Sequence, residues 1–279
     1  MLDNLLGWLF PLYNNYDPRT NEWFLISGIG PITIITMAYL YICTSAGKRY
    51  MKDKQPYDLR NILIGYNFIQ VLISIYLFKE ALMAGWLYDF SYKCQPTDYS
   101  ESSTAMRISR AYHVYFLSKL SELLDTVFFV LRKKERQISF LHLYHHTLML
   151  WTTWIGVRYF SGVIHLTFTG LLNSFVHIIM YSYYMLTAFG PEMQKFLVWK
   201  KYVTILQIVQ FGVITLHTAQ LFFIECDVPK TLAILALLNS SLFLYLFSSF
   251  YIQNYRKGDA NGVKNSSLST NSHTSGKSR

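Results

Sequence analysis

An all-α, polytopic membrane bundle of seven transmembrane helices is the fold this sequence predicts, on three observations. Charged residues make up only 15% of the 279-residue chain against 52% hydrophobic, whereas a soluble domain carries about 25% charged residues. Seven apolar stretches have the length of about 20 residues that crosses a bilayer core. Lys and Arg alternate between rich and poor intervals separating those stretches, 14 on one side against 6 on the other. The positive-inside rule then puts the C-terminus in the cytosol and, seven being odd, the N-terminus on the exoplasmic side. Topology accounts for the net charge of +9, and nucleic acid is not an expected partner.

Residues 1–22 form a short exoplasmic segment; Asp3, Asp17 and Glu22 stand where a cleavable signal would need a basic start and an apolar core. The membrane domain is 23–257, with spans at 23–43, 62–82, 111–131, 140–157, 163–187, 202–224 and 231–252. Residues 258–279, rich in Ser, Asn, Gly and Lys, form a disordered cytosolic tail. The sequon at Asn265 lies on the cytosolic side in this topology.

Gly28, Gly30 and Pro31 suit the first span to close packing or a kink, and Asn67 and Gln70 suit the second to hydrogen bonding between helices. The third span, KLSELLDT, sets Lys119, Glu122, Asp125 and Thr126 on one side, with Tyr112 and Tyr115 extending the stripe. Charges this deep rarely face lipid; they either form an internal ion pair, Lys119 with Glu122, or serve a site. The fourth span, HLYHH, places His142, His145 and His146 within an arc of about 100°.

The fifth span, NSFVHIIMYSYY, aligns Asn173, His177, Tyr181 and Tyr184, while His165 at its start reads as an interfacial residue. In the sixth, TILQIVQF, Gln207 and Gln210 face the bundle, as interhelical glue or as part of a site. The seventh, without charge, is scaffold or tunnel wall. At 1.5 Å per residue Asp125, His145, His177 and Gln207 all fall roughly 8 to 15 Å below the cytosolic boundary. One cavity open toward the basic side then serves all four, and it suits a substrate with an anionic head and an apolar body.

Together KLSELLDT, HLYHH, NSFVHIIMYSYY and TILQIVQF, on successive spans, resemble the four signature motifs of the very-long-chain fatty acid elongases, the membrane 3-ketoacyl-CoA synthases. The resemblance runs from the first span through the seventh. It implies an acyltransferase that condenses long-chain acyl-CoA with malonyl-CoA, releasing CO₂ and CoA, in the endoplasmic reticulum, with no cofactor and no metal. The LYHHT and LQIVQF wording is more similar to elongases of saturated and monounsaturated chains. The C-terminal GKSR lacks the family's dilysine pattern. The lipid bilayer, other enzymes of the elongation cycle and a second copy of the chain are the expected partners.

The chemistry of the residues agrees. Cys43 lies away from the polar stripes, so a cysteine nucleophile has no place, and an imidazole can take the covalent role. By that elimination and by resemblance His145, the middle histidine of the box, is the expected nucleophile, flanked by His142 and His146 and faced by His177. Asn173, Gln207 and Gln210 are candidate oxyanion donors, and Asp125 or Glu122 a candidate for orienting a histidine. Lys119, Glu122, Tyr181 and Tyr184 are candidate substrate contacts; Lys200, Lys201, Arg132 and Arg256 are candidates for the CoA phosphates, or simply positive-inside charges.

Other classes fit less well. A histidine-box desaturase or hydroxylase uses several boxes around two irons, whereas eight histidines in all, four of them scattered, undersupply such a centre. A seven-span receptor does not need these charges at cytosolic depth, and no broken-helix pair or inverted repeat marks a transporter. Two further expectations follow. Cys94 and Cys226, the two thiols on the exoplasmic side, pair as a disulfide. The acyl tunnel, lined by the fifth, sixth and seventh spans, closes near 216–223 and 231–237, where chain length is set.

Overall fold

The computed structural model describes residues 16–197 and 199–256. The beginning of the N-terminal segment, Lys257 and the tail with Asn265 lie outside the described residues, as does the side chain of Arg256. Among the described residues the chain is helical, without a strand. Its long helices are α1 (Ile29–Met51), α2 (Arg60–Trp86), α3 (Ser103–Leu131), α4 (Phe140–Tyr159), α5 (Ile164–Ala188), α6 (Lys200–Phe222) and α7 (Lys230–Tyr255). Five of them, α1, α2, α5, α6 and α7, are long and apolar enough to cross a membrane, which makes this a multi-pass membrane protein. The other two, of 29 and 20 residues, carry the charged and histidine stripes that dilute their hydropathy.

Local chemistry sets the helix ends. Ser102 caps α3, its Oγ accepting from the Ala105 amide at 3.1 Å, and Ser139 caps α4 by accepting from the His142 amide at 3.2 Å. That second cap fixes the histidine box in the first two turns of α4. Gly85, at φ 153°, ends α2, and Gly190, at φ 108°, breaks the chain before the helical turn Pro191–Gln194. Both angles suit glycine.

Six helices pack in cyclic order. α4 lies on α3, α3 on α2, α2 on α5, α5 on α6 and α6 on α7. The ring closes where Phe243 of α7 meets Tyr144 and His145 of α4. α1 stands outside the ring against α3 and α4, where Ile32, Tyr39, Cys43, Phe116, Leu123, Leu150 and Trp154 form one buried cluster. Two indole donors fasten it: Trp151 to Thr36 Oγ1 at 3.0 Å and Trp154 to the Leu25 carbonyl at 2.9 Å.

A polar clasp closes one end of the bundle. Arg19 pairs with Asp17 at 2.7 Å, Ser161 donates to the same carboxylate, and Thr20 donates to the Val157 carbonyl at 2.8 Å. Burial alone would raise the Asp17 pKa, but the hydrogen bonds from Arg19 and Ser161 outweigh it and hold the carboxyl below its ordinary value. At this end Cys94 and Cys226 form a disulfide, Cα to Cα 5.8 Å, tying the loop after α2 to the loop before α7. The basic loops lie at the opposite end.

Several sequence readings of the ends are corrected. α1 begins at Ile29 and continues to Met51, so Lys48 and Arg49 belong to the helix. α3 starts at Ser103, eight residues earlier than expected, and takes in Arg107 and Arg110; Arg107 pairs with Glu80 of α2 at 2.6 Å. Arg158 is not a loop charge: it is buried at the end of α4 and donates to the Ile26 carbonyl and to Asn21. His165, at the start of α5, is fully buried in the protein and stacked on His217 of α6, ring centroids 4.2 Å apart.

Candidate active site

α3 supplies the spine of the site. Lys119 and Glu122, one turn apart, are almost fully buried and form an ion pair at 2.8 Å. Two charges in such a place persist only when every neighbour is a partner. Asn173 on α5 takes a second bond from Lys119 Nζ at 2.9 Å, and its Oδ1 also accepts from the Tyr115 hydroxyl at 2.8 Å. With Oδ1 doubly occupied, the Asn173 amide NH₂ has no hydrogen-bond partner among the described residues. His177, one turn further along α5, brings Nδ1 to 3.3 Å from Glu122 Oε1 and 3.5 Å from Lys119 Nζ, so that nitrogen stands beside both members of the ion pair.

The ion-pair alternative for Lys119 and Glu122 is therefore what forms, and it forms inside the polar cluster rather than apart from it. Asp125 does not touch a histidine: its Oδ2 accepts from the Tyr181 hydroxyl at 2.9 Å. Glu122 is the carboxylate that lies beside one, 3.3 Å from His177 Nδ1.

The three box histidines lie opposite. His142 and His146 pack at 4.3 Å between centroids, and His145 meets His146 edge-on at 5.4 Å. His142 Nε2 is 2.8 Å from Thr126 Oγ1 of α3, so the stripe holding Glu122 also holds the box. His145 rests against Phe243 and Phe247 of α7 at 5.0 and 6.2 Å, with no side-chain hydrogen bond among the described residues. Gln207 reaches only the Met180 sulfur at 3.4 Å, while Gln210 is buried without a described side-chain partner. Tyr184 is partly exposed and packs edge-on against Tyr181. Lys200 and Lys201 are exposed at the start of α6 and Arg132 is half-buried at the end of α3. None of these three cations contacts the polar cluster.

A cavity of about 230 Å³ continues from this cluster into the other half of the bundle. Its lining repeats the helical stripes of the site. Met149, Thr152 and Gly156 follow His145 along α4, Tyr115, Tyr112 and Ile108 precede Lys119 along α3, and Ser174 and Gly170 lie beside Asn173 on α5. α7 contributes Leu232, Leu235 and Ala236. Of the spans expected to wall a tunnel, α5 and α7 border this cavity and α6 does not, while α2, α3 and α4 also line it. Leu216 and Phe223, in one of the two stretches expected to close the tunnel, face outward with 74% and 86% of their surface exposed.

Sequence reasoning missed the cavity-facing row of α4 beyond His145, whose spacing was visible, and Tyr39 of α1, whose hydroxyl is 2.8 Å from Thr126 Oγ1. No local signal marks Tyr39. As to metals, no group of three or more His, Cys, Asp or Glu side chains among the described residues is placed to hold an ion.

Comparison with known proteins agrees with the motif resemblance. The chain is 46% identical over 241 residues to a very long chain fatty acid elongase of Aedes aegypti, covering 86% of this chain and 67% of that one. It is 44% identical over 252 residues to very long chain fatty acid elongase 7 of Rattus norvegicus, covering 88% and 89%. With very long chain fatty acid elongase 4 of Homo sapiens it shares 44% identity over 241 residues, 86% of this chain and 76% of the other. The family model for the GNS1/SUR4 (ELO) family matches residues 24–262, and with the whole of α1 to α7 inside that match the chain belongs to the ELO family.

Proposed function

We propose that this protein is the condensing enzyme of fatty acid elongation, a 3-ketoacyl-CoA synthase. It joins long-chain acyl-CoA to malonyl-CoA and releases CO₂ and CoA. The observation that carries the reading is the shared stripe on α4. His145 heads the row whose next members, Met149, Thr152 and Gly156, line the apolar cavity, so an acyl chain lying in that cavity presents its thioester to an imidazole that has no side-chain hydrogen bond among the described residues.

In the first half-reaction a ring nitrogen of His145 attacks the thioester carbonyl. The C–S bond breaks, and the CoA thiolate leaves with the proton that the imidazole gives up. In the second, the malonyl carboxylate departs as CO₂ and the resulting enolate carbon attacks the acyl-imidazole. The C–N bond breaks, and the imidazole regains a proton. The Asn173 NH₂, without a partner among the described residues, donates to the developing oxyanion. His177, beside the Lys119–Glu122 pair, carries the exchanged proton. The apolar cavity keeps water from the acyl-imidazole.

Seven crossings, with α3 and α4 included, put every basic loop on one face. That topology leaves the N-terminus in the lumen of the endoplasmic reticulum, the C-terminus in the cytosol and the acyl tunnel open toward the cytosol. Lys200, Lys201, Arg132 and Arg256, all at cytosolic span ends in that topology, are the partners proposed for the CoA phosphates. The test is to incubate purified protein with labelled long-chain acyl-CoA alone, trap at mildly acidic pH and map the label. Stoichiometric CoA release with label on the His145 peptide, lost in His145→Ala, is expected; full activity in that variant ends the proposal.

A further inference from the structure

α1 stands outside the ring of helices, yet one of its side chains is wired to the histidine box. Tyr39 is buried, with 5% of its surface exposed, and its hydroxyl is 2.8 Å from Thr126 Oγ1. Thr126 is fully buried, and the same oxygen is 2.8 Å from His142 Nε2. Three groups from α1, α3 and α4 thus form one hydrogen-bonded chain.

The direction of that chain follows from counting protons. The Tyr39 phenol has no other hydrogen-bond partner among the described residues. If Thr126 donated to Tyr39, the phenol proton would be stranded in the apolar cluster around it, and burying an unmade donor is unfavourable. Tyr39 therefore donates to Thr126. Thr126 has one proton and gives it to His142, so Nε2 is the acceptor and the imidazole proton sits on Nδ1. His142 is only half-buried, so its Nδ1–H is not sealed off as the Tyr39 and Thr126 hydroxyls are.

We infer that Tyr39 is a positioning residue of the condensation reaction, fixing His142 through Thr126 as the Nδ1-protonated neutral imidazole. This rests on the proposed role of the histidine box. A fixed donor beside His145 is worth having because acyl transfer builds negative charge on a carbonyl oxygen, and a donor that need not reorient at that moment lowers the barrier. Packing explains why α1 can do this: the Thr36–Trp151 and Leu25–Trp154 bonds hold Tyr39 against α3 without placing α1 in the cavity wall.

The test uses the full-length protein with Tyr39→Phe, Thr126→Val and the double variant, each first shown to melt near the wild-type temperature. Tyr39→Phe should lower kcat by about five- to ten-fold, the worth of one hydrogen bond, with KM for acyl-CoA unchanged. The double variant should lose no more than Thr126→Val alone, since both act through one bond. Independently of turnover, ¹⁵N-histidine spectra assigned by loss of signal in His142→Gln should show Nε2 unprotonated in the wild type and a shift of the proton toward Nε2 in Tyr39→Phe. Unchanged kcat, additive losses, or a protonated Nε2 in the wild type overturns the assignment. A wild type that makes no elongated product would instead overturn the condensing-enzyme reading and leave the spectroscopic result standing.

Discussion

Gly156→Ala should shorten the products. Gly156 is buried on α4 facing Tyr112 of α3, and both line the cavity. A methyl group added at Gly156 would lie 2.5 Å from the Tyr112 hydroxyl oxygen and 2.7 Å from the ring carbon that bears it. Carbon and oxygen atoms settle at about 3.5 Å or more, so the phenol must retreat by roughly 1 Å. Its hydroxyl makes no hydrogen bond among the described residues, and the space available to it is the cavity. The methyl and the displaced ring then compete with any acyl chain that reaches this level. Overpacking of this kind costs about 1–3 kcal/mol; carried into the complex with a long chain, that is roughly a 5- to 160-fold fall in kcat/KM. Only substrates long enough to pass the constriction should feel it, so the product profile should end one elongation cycle or more earlier while shorter acyl-CoAs react at the wild-type rate. The assay is a series of saturated acyl-CoAs with labelled malonyl-CoA, products resolved by chain length. A proportional loss at every length, or an unchanged profile in a variant that melts normally, would refute the placement of the chain.

Lys119→Met should destabilise the bundle by about 3–5 kcal/mol, since Glu122 is left buried and unpaired; adding Glu122→Leu should restore much of the melting temperature but none of the activity, and recovered activity would reduce the pair to scaffolding. Asp17→Asn should cost about 1.5–3 kcal/mol at neutral pH through the lost charged hydrogen bonds. Because the folded carboxyl titrates below its ordinary value of about 3.9, that contribution is full above pH 5 and is lost as pH falls through the lower folded value. Melts at stepped pH should find wild type and variant converging only below about pH 4, and convergence nearer neutrality would refute the assignment. Cys94→Ser should cost at most about 5 kcal/mol, the entropy of the loop closed by a 132-residue separation; peptide mapping without reductant should find the wild-type pair joined, and an unchanged melt would place the loops' stability elsewhere.

Much of this organisation was legible in the sequence because the membrane makes polarity conspicuous. Lys119, Glu122, Asn173 and His177 stood out against apolar neighbours, and helical spacing placed them on facing stripes before any contact was known. The topology count likewise singled out Cys94 and Cys226. Lateral order was not legible. A leucine facing lipid and one facing a cavity have the same hydropathy, so nothing in the sequence distinguished Leu216, which faces outward, from Leu171, which is buried and borders the cavity. The helix ends were misplaced at Ser103 and Met51 because charged residues such as Arg107 and Lys48 signal a loop in a hydropathy profile although they lie on a continuous helix. Tyr39 and the His165–His217 stack depend on contacts between distant helices, which periodicity does not encode.

The fastening of α1 also constrains the order in which the chain can be assembled. The groups that hold it, Val157, Trp151, Trp154 and Arg158, lie 115 to 137 residues downstream of their partners at Thr20, Thr36, Leu25 and Ile26. At translation rates of about 5–20 residues per second, α1 waits on the order of ten seconds for them. α3 is synthesised first, and Thr126 can already meet Tyr39 before α4 exists. The face of α1 that carries Thr36 stays turned toward lipid until Trp151 arrives. Its docking is therefore completed late in biogenesis, and a chain arrested before α4 would present a half-claimed α1 to the machinery that retains or removes incomplete membrane proteins.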